Sequence, residues 1–443
     1  MLTLQFGQCG NQLGHNFFTQ LSTDINSRDK NVSRDDNYQY TESAIEKWFE
    51  GINNDGCRLA RTILIDTEAK VLKNICRQTN SQWTYRKQNL ICQTSGGSAN
   101  NWAYGYLMKG PQFKEETLEA IRREIERTDR LEGMLFLLSS AGGTGSGVGS
   151  YFIDNLREEF PTKTLIGSII LPFTSGEVGT QNYNTLLTLA KFNEKCDINF
   201  LFENEQIHSI CTSILKNFDA NLKNINDVIS RKLAAIFQPV ENCLNANSLV
   251  SLVTPHPSYK LASIKSVPYI PLNSSIYESS YKWHSHIGHL KQTLRVGVFN
   301  DSVIDPETRK ISHAPYDRNY HKYCKSIGNI LITRGTSLEN DSIVYDELKK
   351  NDLYAKWMPE LERFTHFNQR RRLLNQEKFV ALITNNSQIH RSLEIIVDRA
   401  WKMYTHGAFL HQYKKFGLEE DDFLHSFAKV ENIVKSYREL DNE

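Results

Sequence analysis

The stretch that most constrains the fold is Met134-Leu135-Phe136-Leu137-Leu138-Ser139-Ser140-Ala141-Gly142-Gly143-Thr144-Gly145-Ser146-Gly147. It opens as a short apolar run without alternation, the pattern of a buried parallel strand. Four glycines in six residues follow, and Val148 to Glu159 then reads as a helix. Glycines let a backbone turn sharply and bring its N–H groups close to a ligand. A helix starting there adds unpaired N–H groups and a positive dipole end. Strand, glycine loop and helix start together suit the phosphates of a nucleotide. A lone glycine run can equally be a flexible turn; its place between strand and helix favours phosphate.

Two common phosphate motifs are excluded. No Gly-Lys-Ser/Thr closes the loop, so it is not a P-loop, and its glycines do not fall at the dinucleotide spacing. The chain has 443 residues, enough for two or three domains. Hydrophobic residues make up 40% and charged residues 23%, within the soluble globular range. The net charge of +1 gives no overall attraction to nucleic acid or anionic membrane. No apolar run approaches the ~20 residues of a membrane span. The amino terminus lacks a basic flank and runs straight into structured sequence, unlike a signal peptide. The eight cysteines (9, 57, 76, 92, 196, 211, 243 and 324) form no CxxC pair, as expected of reduced cytosolic thiols rather than a zinc site.

Further strand-to-helix turns accompany the first. Leu2, Leu4 and Phe6 alternate with polar residues as in a strand, and Gly7-Gln8-Cys9-Gly10-Asn11-Gln12 then turns into a helix. Residues 27–57 are polar and read as a surface excursion. Arg61 to Asp66 reads as a buried strand ending in an acid, with Glu68 two residues on. Carboxylates there can serve a magnesium ion, or Asp66 can cap a helix. Gly96 to Gly105 is a third glycine-rich turn. Phe113 to Leu131 is a helix whose Glu119 and Arg123 can pair on a solvated face. Thr164 to Leu171 is another apolar strand. Strands alternating with helices predict an α/β, doubly wound parallel sheet with ligand loops at its carboxyl edge.

Beyond it, Asn221 to Phe237 is a long helix and Gln238 to Pro257 a connection. Residues 258–385 read as α+β, with strands at Gly328–Thr333 and Lys378–Thr384. His284, His286 and His289 crowd together at spacings that do not share one helix face, which favours a solvated loop over a metal site. Arg370-Arg371-Arg372 reads as a solvated face rather than a nucleic-acid patch. Ile389, Leu393, Ile396, Val397, Ala400 and Tyr404 form the apolar stripe of a terminal helix. The expected domains are 1–240, 241–385 and 386–443.

The loop Ala141–Gly147, with the turns at Gly7–Gln12 and Gly96–Gly105, resembles the nucleotide loops of the tubulin family, and the resemblance extends over nearly the whole chain. It implies a GTPase domain of tubulin type followed by an α+β domain and carboxyl-terminal helices. It also implies GTP or GDP as ligand, with Mg2+. Gln8, Gly10, Ser98, Asn100, Gly142, Gly143, Thr144, Gly145 and Ser146 are the phosphate-binding residues it implies. Cys9, Glu177, Gln181, Asn204, Leu222 and Asn226 fall at ribose and base positions, and Asp66 and Glu68 at the metal. Four positions depart from the pattern. Ala99 stands where a glycine is usual, Gln181 replaces an acid, and Leu222 replaces a base-stacking tyrosine. The fourth departure concerns catalysis. Tubulin filaments complete a subunit's hydrolytic site with an acid on the next subunit's loop, a few residues before a Pro-x-Pro turn. Here that turn is Pro255-His256-Pro257, Ser248 matches the acid, and no Asp or Glu lies between Asn242 and Tyr277. The implication is very slow GTP hydrolysis by the chain alone, with no catalytic residue assigned.

His406 to Phe423, Asn100 to Tyr106 and Pro255-His256-Pro257 resemble the delta branch of the family. That implies partnership with other tubulins, of alpha/beta or centriolar types, at the centrioles or basal bodies of cilia, within the cytoplasm and cytoskeleton. No membrane and no direct nucleic-acid contact are expected. Two alternatives are a stand-alone nucleotide-dependent enzyme, for which no complete nucleophile–base set is evident, and a nucleic-acid-partitioning GTPase, which the net charge does not favour.

Overall fold

The computed structural model describes residues 1–53, 55–78, 82–92, 96–176, 178–269, 282–296, 324–335, 346–374 and 376–441. Its strands are β1 (Leu2–Phe6), β2 (Phe49–Ile52), β3 (Arg58–Ala60), β4 (Thr62–Asp66), β5 (Trp83–Thr84), β6 (Leu90–Cys92), β7 (Gly133–Ser139), β8 (Thr164–Leu171), β9 (Ile198–Glu203), β10 (Leu261–Val267), β11 (Ser326–Gly335), β12 (Phe364–Gln369) and β13 (Lys378–Asn386). The chain divides into two compact units. One comprises Met1–Ser22, Glu42–Glu203 and Arg391–Val434; the other comprises Thr23–Thr41, Asn204–His390 and Lys435–Glu443.

The first unit is built on parallel strands in the order β9-β8-β7-β1-β4-β6. Every residue of β1, β4 and β8 is buried. Strands covered on both faces need continuous apolar runs, which is why 134–138 and 164–171 do not alternate. The chain runs outward from β1 through β4 and β6 on one side, and from β7 through β8 and β9 on the other. The order therefore reverses between β1 and β7, and ligands of such sheets bind outside the carboxyl ends at that point. Phe6 is level with Ile65 and with Leu138, so the loops after β1, β4 and β7 leave from one edge.

Aromatic contacts hold carboxyl-terminal residues within this unit. Trp401 stacks on Phe427 at 4.0 Å between ring centroids, and Tyr183 of the helix Gln181–Lys195 meets Tyr413 and Phe423 edge-on. Lys429 pairs with Glu194, whose carboxyl is drawn down to about 2 by that ammonium and by Lys195. The apolar stripe of the helix Ile389–Thr405 is buried from Ile389 to Ala400.

The second unit carries a mixed sheet, β12-β11-β13-β10. β11 runs parallel to β12 and antiparallel to β13, and β13 is antiparallel to β10. The helix Trp283–Val296 lays Trp283, Ile287, Leu290 and Leu294 against Val267, Leu331, Val380 and Leu382. The long helix Leu222–Phe237 is capped by Asn221, whose side chain accepts from Lys223 and Asn224 while Asn224 reciprocates.

Several expectations are corrected. Within 27–57, Arg34–Trp48 is a helix, and Tyr40, Ala44, Trp48 and Phe49 are buried. Tyr40, Ala44 and Trp48 are four apart on the helix, a stripe thin enough to be hidden by the charged residues around it. The connection Gln238–Pro257 contains a helix, Ala246–Val253, with Leu249 and Val253 buried. The helix expected at Phe113–Leu131 spans Gly110–Glu126. The arginine run is a solvated face only at Arg370, which is exposed. Arg371 is 1% exposed and pairs with Asp24 at 3.3 Å, Arg372 approaches Asp29 at 3.8 Å, and Arg370 approaches Glu241 at 3.7 Å.

Candidate functional site

Three glycine turns meet at the edge where the strand order reverses. The helix after β1 opens at Gly7, the helical segment after β7 at Gly143, and a third at Trp102. Their packing leaves no room for side chains. A Cβ on Gly7, which has φ +69°, would lie 2.9 Å from the Gly145 nitrogen. One on Gly143 would lie 2.5 Å from the Ser98 carbonyl oxygen, and one on Gly10 would lie 2.2 Å from that of Leu137. On Gly145 it would meet the Ser139 oxygen at 2.6 Å. Gly142 differs, since the nearest atom to its Cβ would be Asn100 Oδ1 at 3.8 Å. The glycines thus bring three helix starts together, and helix starts present free N–H groups to an anion.

Hydroxyls tie the turns to one another. Thr67, directly after β4, has its Oγ1 2.7 Å from Thr144 Oγ1, and Ser98 Oγ lies 3.0 Å from the same atom. Ser146 Oγ donates back to the Gly142 carbonyl. Ala99 and Asn100 have φ +49° and +51°, so alanine does occupy a left-handed position where the resemblance implied glycine. That conformation costs about 1–2 kcal/mol for a residue with a Cβ. Both residues are exposed, as is Gln8. Cys9 follows Gln8, and burial pushes its thiol up to about 12, so it stays a protonated thiol and not a nucleophile.

Asp66 closes β4 and is 3% exposed. It caps no helix, because the N-cap of Ala69–Cys76 is Glu68. Asn11 Nδ2 donates to Asp66 Oδ2 at 3.2 Å and the Glu68 N–H to Oδ1 at 3.1 Å. Burial outweighs these bonds, and the carboxyl is raised to about 6. A divalent cation would relieve that cost, and magnesium typically takes one or two protein carboxylates alongside phosphate oxygens. Exposed Glu68 could supply a second carboxylate; a Cβ on Gly97 would lie 2.9 Å from its Oε1. The residues present therefore fit the ion.

Of the positions implied for ribose and base, Glu177 lies outside the described residues. Gln181 is buried and donates from Nε2 to the Phe173 carbonyl at 2.8 Å. Cys9, like Gln181, belongs to the first unit, whereas Asn204, Leu222 and Asn226 belong to the second. Asn204 is the first residue of the helix after β9, Leu222 opens its long helix at 58% exposure, and Asn226 is buried on that helix. Among the described residues no three histidine, cysteine or acidic side chains form a metal cluster. His286 is buried on the helix Trp283–Val296 while His284 is exposed. Among the described residues, too, no helix is long and apolar enough to cross a membrane.

Sequence reasoning missed Thr67, Asn11 and Asn184. Thr67 sits between the two carboxylates and Asn11 directly after Gly10, so adjacency was their one available signal. Asn184 had none, because its partners are 43 to 229 residues away.

Residues 1–212 match the Tubulin/FtsZ family, GTPase domain. Over its length the chain is 33% identical to the human tubulin delta chain, covering 99% of this chain and 100% of that one. It is 32% identical to the mouse tubulin delta chain, with 99% of each covered. The tubulin beta-1 chain of Colletotrichum graminicola matches at 24%, over 99% of this chain and 94% of its own. Two converging turns at the reversal of a parallel sheet, a third beside them, and similarity to delta chains from end to end place this chain in the tubulin family, among GTP-binding proteins of the cytoskeleton.

Proposed function

We propose that the chain holds the phosphates of GTP in the cradle formed by Gln8, Gly10, Ser98, Asn100 and Gly142–Ser146. The observation that carries this reading is the convergence of Thr67 and Ser98 on the Thr144 hydroxyl, 2.7 and 3.0 Å away. It joins turns from three parts of the sequence at the point where such a sheet binds its ligand. Cys9 stands with the ribose and base positions, on the strength of the family resemblance. Glu177 and Gln181 serve the ribose, and Leu222, Asn204 and Asn226 the base, on the strength of the family resemblance. Asn is suited to guanine because its amide offers both donor and acceptor. Asp66 and Glu68 would hold Mg2+, which when bound neutralises phosphate charge.

The similarity to delta chains supports a role with other tubulins at centrioles or basal bodies, in building or maintaining triplet microtubules. Ser248 in place of the activating acid supports slow hydrolysis by the chain alone. In this reading the nucleotide belongs to the expected domain 1–240, followed by 241–385 and 386–443. The test is to denature the purified protein and identify the nucleotide released. GTP or GDP near one equivalent is expected; adenine nucleotide, or none after loading with GTP and Mg2+, would sink the reading.

A further inference from the structure

Asn184 has all four hydrogen-bonding positions of its amide occupied. Nδ2 donates to the carbonyl oxygens of Asn100 at 2.9 Å and of Ala141 at 2.7 Å. Oδ1 accepts from the Trp102 N–H at 2.9 Å and from the Tyr413 hydroxyl at 2.6 Å. A primary amide offers two donor hydrogens and two lone pairs, so nothing is left over. The side chain is fully buried, where such a network is rigid when complete and costly when broken.

The loop partners are the two phosphate turns. Ala141 immediately precedes Gly142. Asn100 ends the pair of left-handed residues, a conformation that persists only where surrounding bonds hold it. Thr180 Oγ1 adds a second bond to the Asn100 carbonyl at 2.8 Å. Asn184 therefore sets the spacing between the loops. Its fourth partner comes from elsewhere. Tyr413 lies on the short helix Leu410–Lys414, 229 residues along the chain. Its ring is boxed edge-on by Tyr183 and Phe423. Burial holds its hydroxyl well above the usual phenol range, so it stays a donor. Beside it, Asn101 Nδ2 donates to the Gln412 carbonyl at 3.3 Å. His411, Lys414 and Lys415, on the same segment, are exposed.

We propose that Tyr413 is a positioning residue for the phosphate loops, acting through Asn184, so that the carboxyl-terminal segment around residues 410–416 sets nucleotide affinity. This rests on the nucleotide reading given above. Without the hydroxyl, Oδ1 keeps one donor and the amide can tilt toward Trp102. The two Nδ2 bonds would then no longer fix both loops at once. Anything that moves the short helix from its exposed side would act along the same path.

Tyr413→Phe keeps the ring and its packing. GTP and GMP affinities are measured on the full chain by equilibrium titration with Mg2+, together with the melting temperature of the nucleotide-free protein. GTP affinity should fall roughly 3- to 10-fold, the worth of about one hydrogen bond. GMP affinity should fall less, so the preference for the triphosphate shrinks. In an Asn184→Ala background, Tyr413→Phe should cause no further loss, because coupled residues are non-additive. Should Asn184→Ala fail to fold, the GTP-to-GMP preference of Tyr413→Phe decides alone. Unchanged GTP affinity overturns the proposal. Equal loss for both nucleotides with a lower melting temperature also overturns it, because the hydroxyl would then be merely structural. In either case GTP binding by the unmodified chain leaves the nucleotide reading standing; its failure to bind GTP at all removes both.

Discussion

Thr67 Oγ1 and Thr144 Oγ1 lie 2.7 Å apart, joining the turn after β4 to the glycine loop after β7. Ser98 meets the same threonine at 3.0 Å. The cradle is thus shaped twice, by glycines that admit close backbone approach and by hydroxyls that lock it. Substitutions should separate the two. Gly143→Val and Gly145→Val place carbons within 2.5 and 2.6 Å of carbonyl oxygens and should abolish GTP binding. Thr144→Ala should weaken it by only about 1 kcal/mol, since the main-chain donors remain. Gly142→Ala should lose least, as its new carbon meets nothing nearer than 3.8 Å. Titration with GTP ranks the four; equal loss in all would mean general misfolding.

Ala99 carries strain that glycine would release. At φ +49° its Cβ is disfavoured, and the side chain is exposed, so removing it opens no cavity. Ala99→Gly should raise stability by roughly 0.5–1 kcal/mol, the relief being partly offset by the greater freedom of glycine in the unfolded chain. Denaturant unfolding would show this, and a destabilised variant would refute it.

Arg371 is held by more than its charge partner. Besides Asp24 Oδ2 at 3.3 Å, its guanidinium donates to the Asp24 carbonyl at 2.6 Å and to Asn37 Oδ1 at 3.2 Å, and lies over the Tyr40 ring at 4.1 Å. Asp24 is also bound by the Tyr40 hydroxyl at 2.6 Å and by Gln238 Nε2 at 2.9 Å. Removing one member strands a buried charge, at a cost of about 3–5 kcal/mol. Arg371→Ala should therefore lower the urea midpoint sharply. A loss below about 1 kcal/mol would show that water reaches Asp24.

His286 links stability to pH. Burial, with the neighbouring charges of His289 and Lys378, lowers its imidazole from the ordinary 6.5 to about 4. The unfolded chain therefore takes up this proton first as pH falls. The contribution is fully present above pH 6.5 and is lost progressively toward pH 4. Its size is up to roughly 3 kcal/mol. His286→Gln should flatten unfolding stability between pH 7 and pH 4.5 relative to the parent; an unchanged slope would locate the acid sensitivity elsewhere.

What could be read from the chain alone followed from local pattern. β8 occupies the range Thr164–Leu171 expected from its unbroken apolar run. The helix expected at Asn221 to Phe237 runs from Leu222 to Phe237, with Asn221 as its cap. What escaped was carried by contacts distant in sequence. Nothing near Arg371 announces Asp24, 347 residues away, so a triple-basic run looked solvated. Nothing near Asn184 announces the two loops and the tyrosine it joins. A buried arginine and a fully bonded amide look like surface residues until their partners are placed.

Ser248 bears on catalysis and on helix capping at once. It is the third residue of the helix Ala246–Val253, whose N-cap is Asn245. Its N–H donates to Asn245 Oδ1 at 2.8 Å and its hydroxyl to the same oxygen at 3.0 Å. The hydroxyl is thus engaged as a donor, and a serine is in any case a poor base at neutral pH. General-base assistance is typically worth ~10²–10⁴-fold. The chain should therefore hydrolyse GTP very slowly alone and should not activate a subunit that it caps, although an alpha-type partner could still supply an acid to its own nucleotide. The third helical position is also where glutamate completes a capping box by reaching back to the N-cap N–H. Ser248→Glu should therefore fold as well as the parent while restoring a carboxylate. Single-turnover GTP hydrolysis is measured over a range of protein concentrations, with and without alpha/beta-tubulin, for the parent and for Ser248→Glu. The parent alone should be slow at every concentration. The variant should gain a rate that rises with concentration, as expected when one subunit completes the site of the next. Fast, concentration-dependent hydrolysis by the parent alone would mean that another residue acts as base.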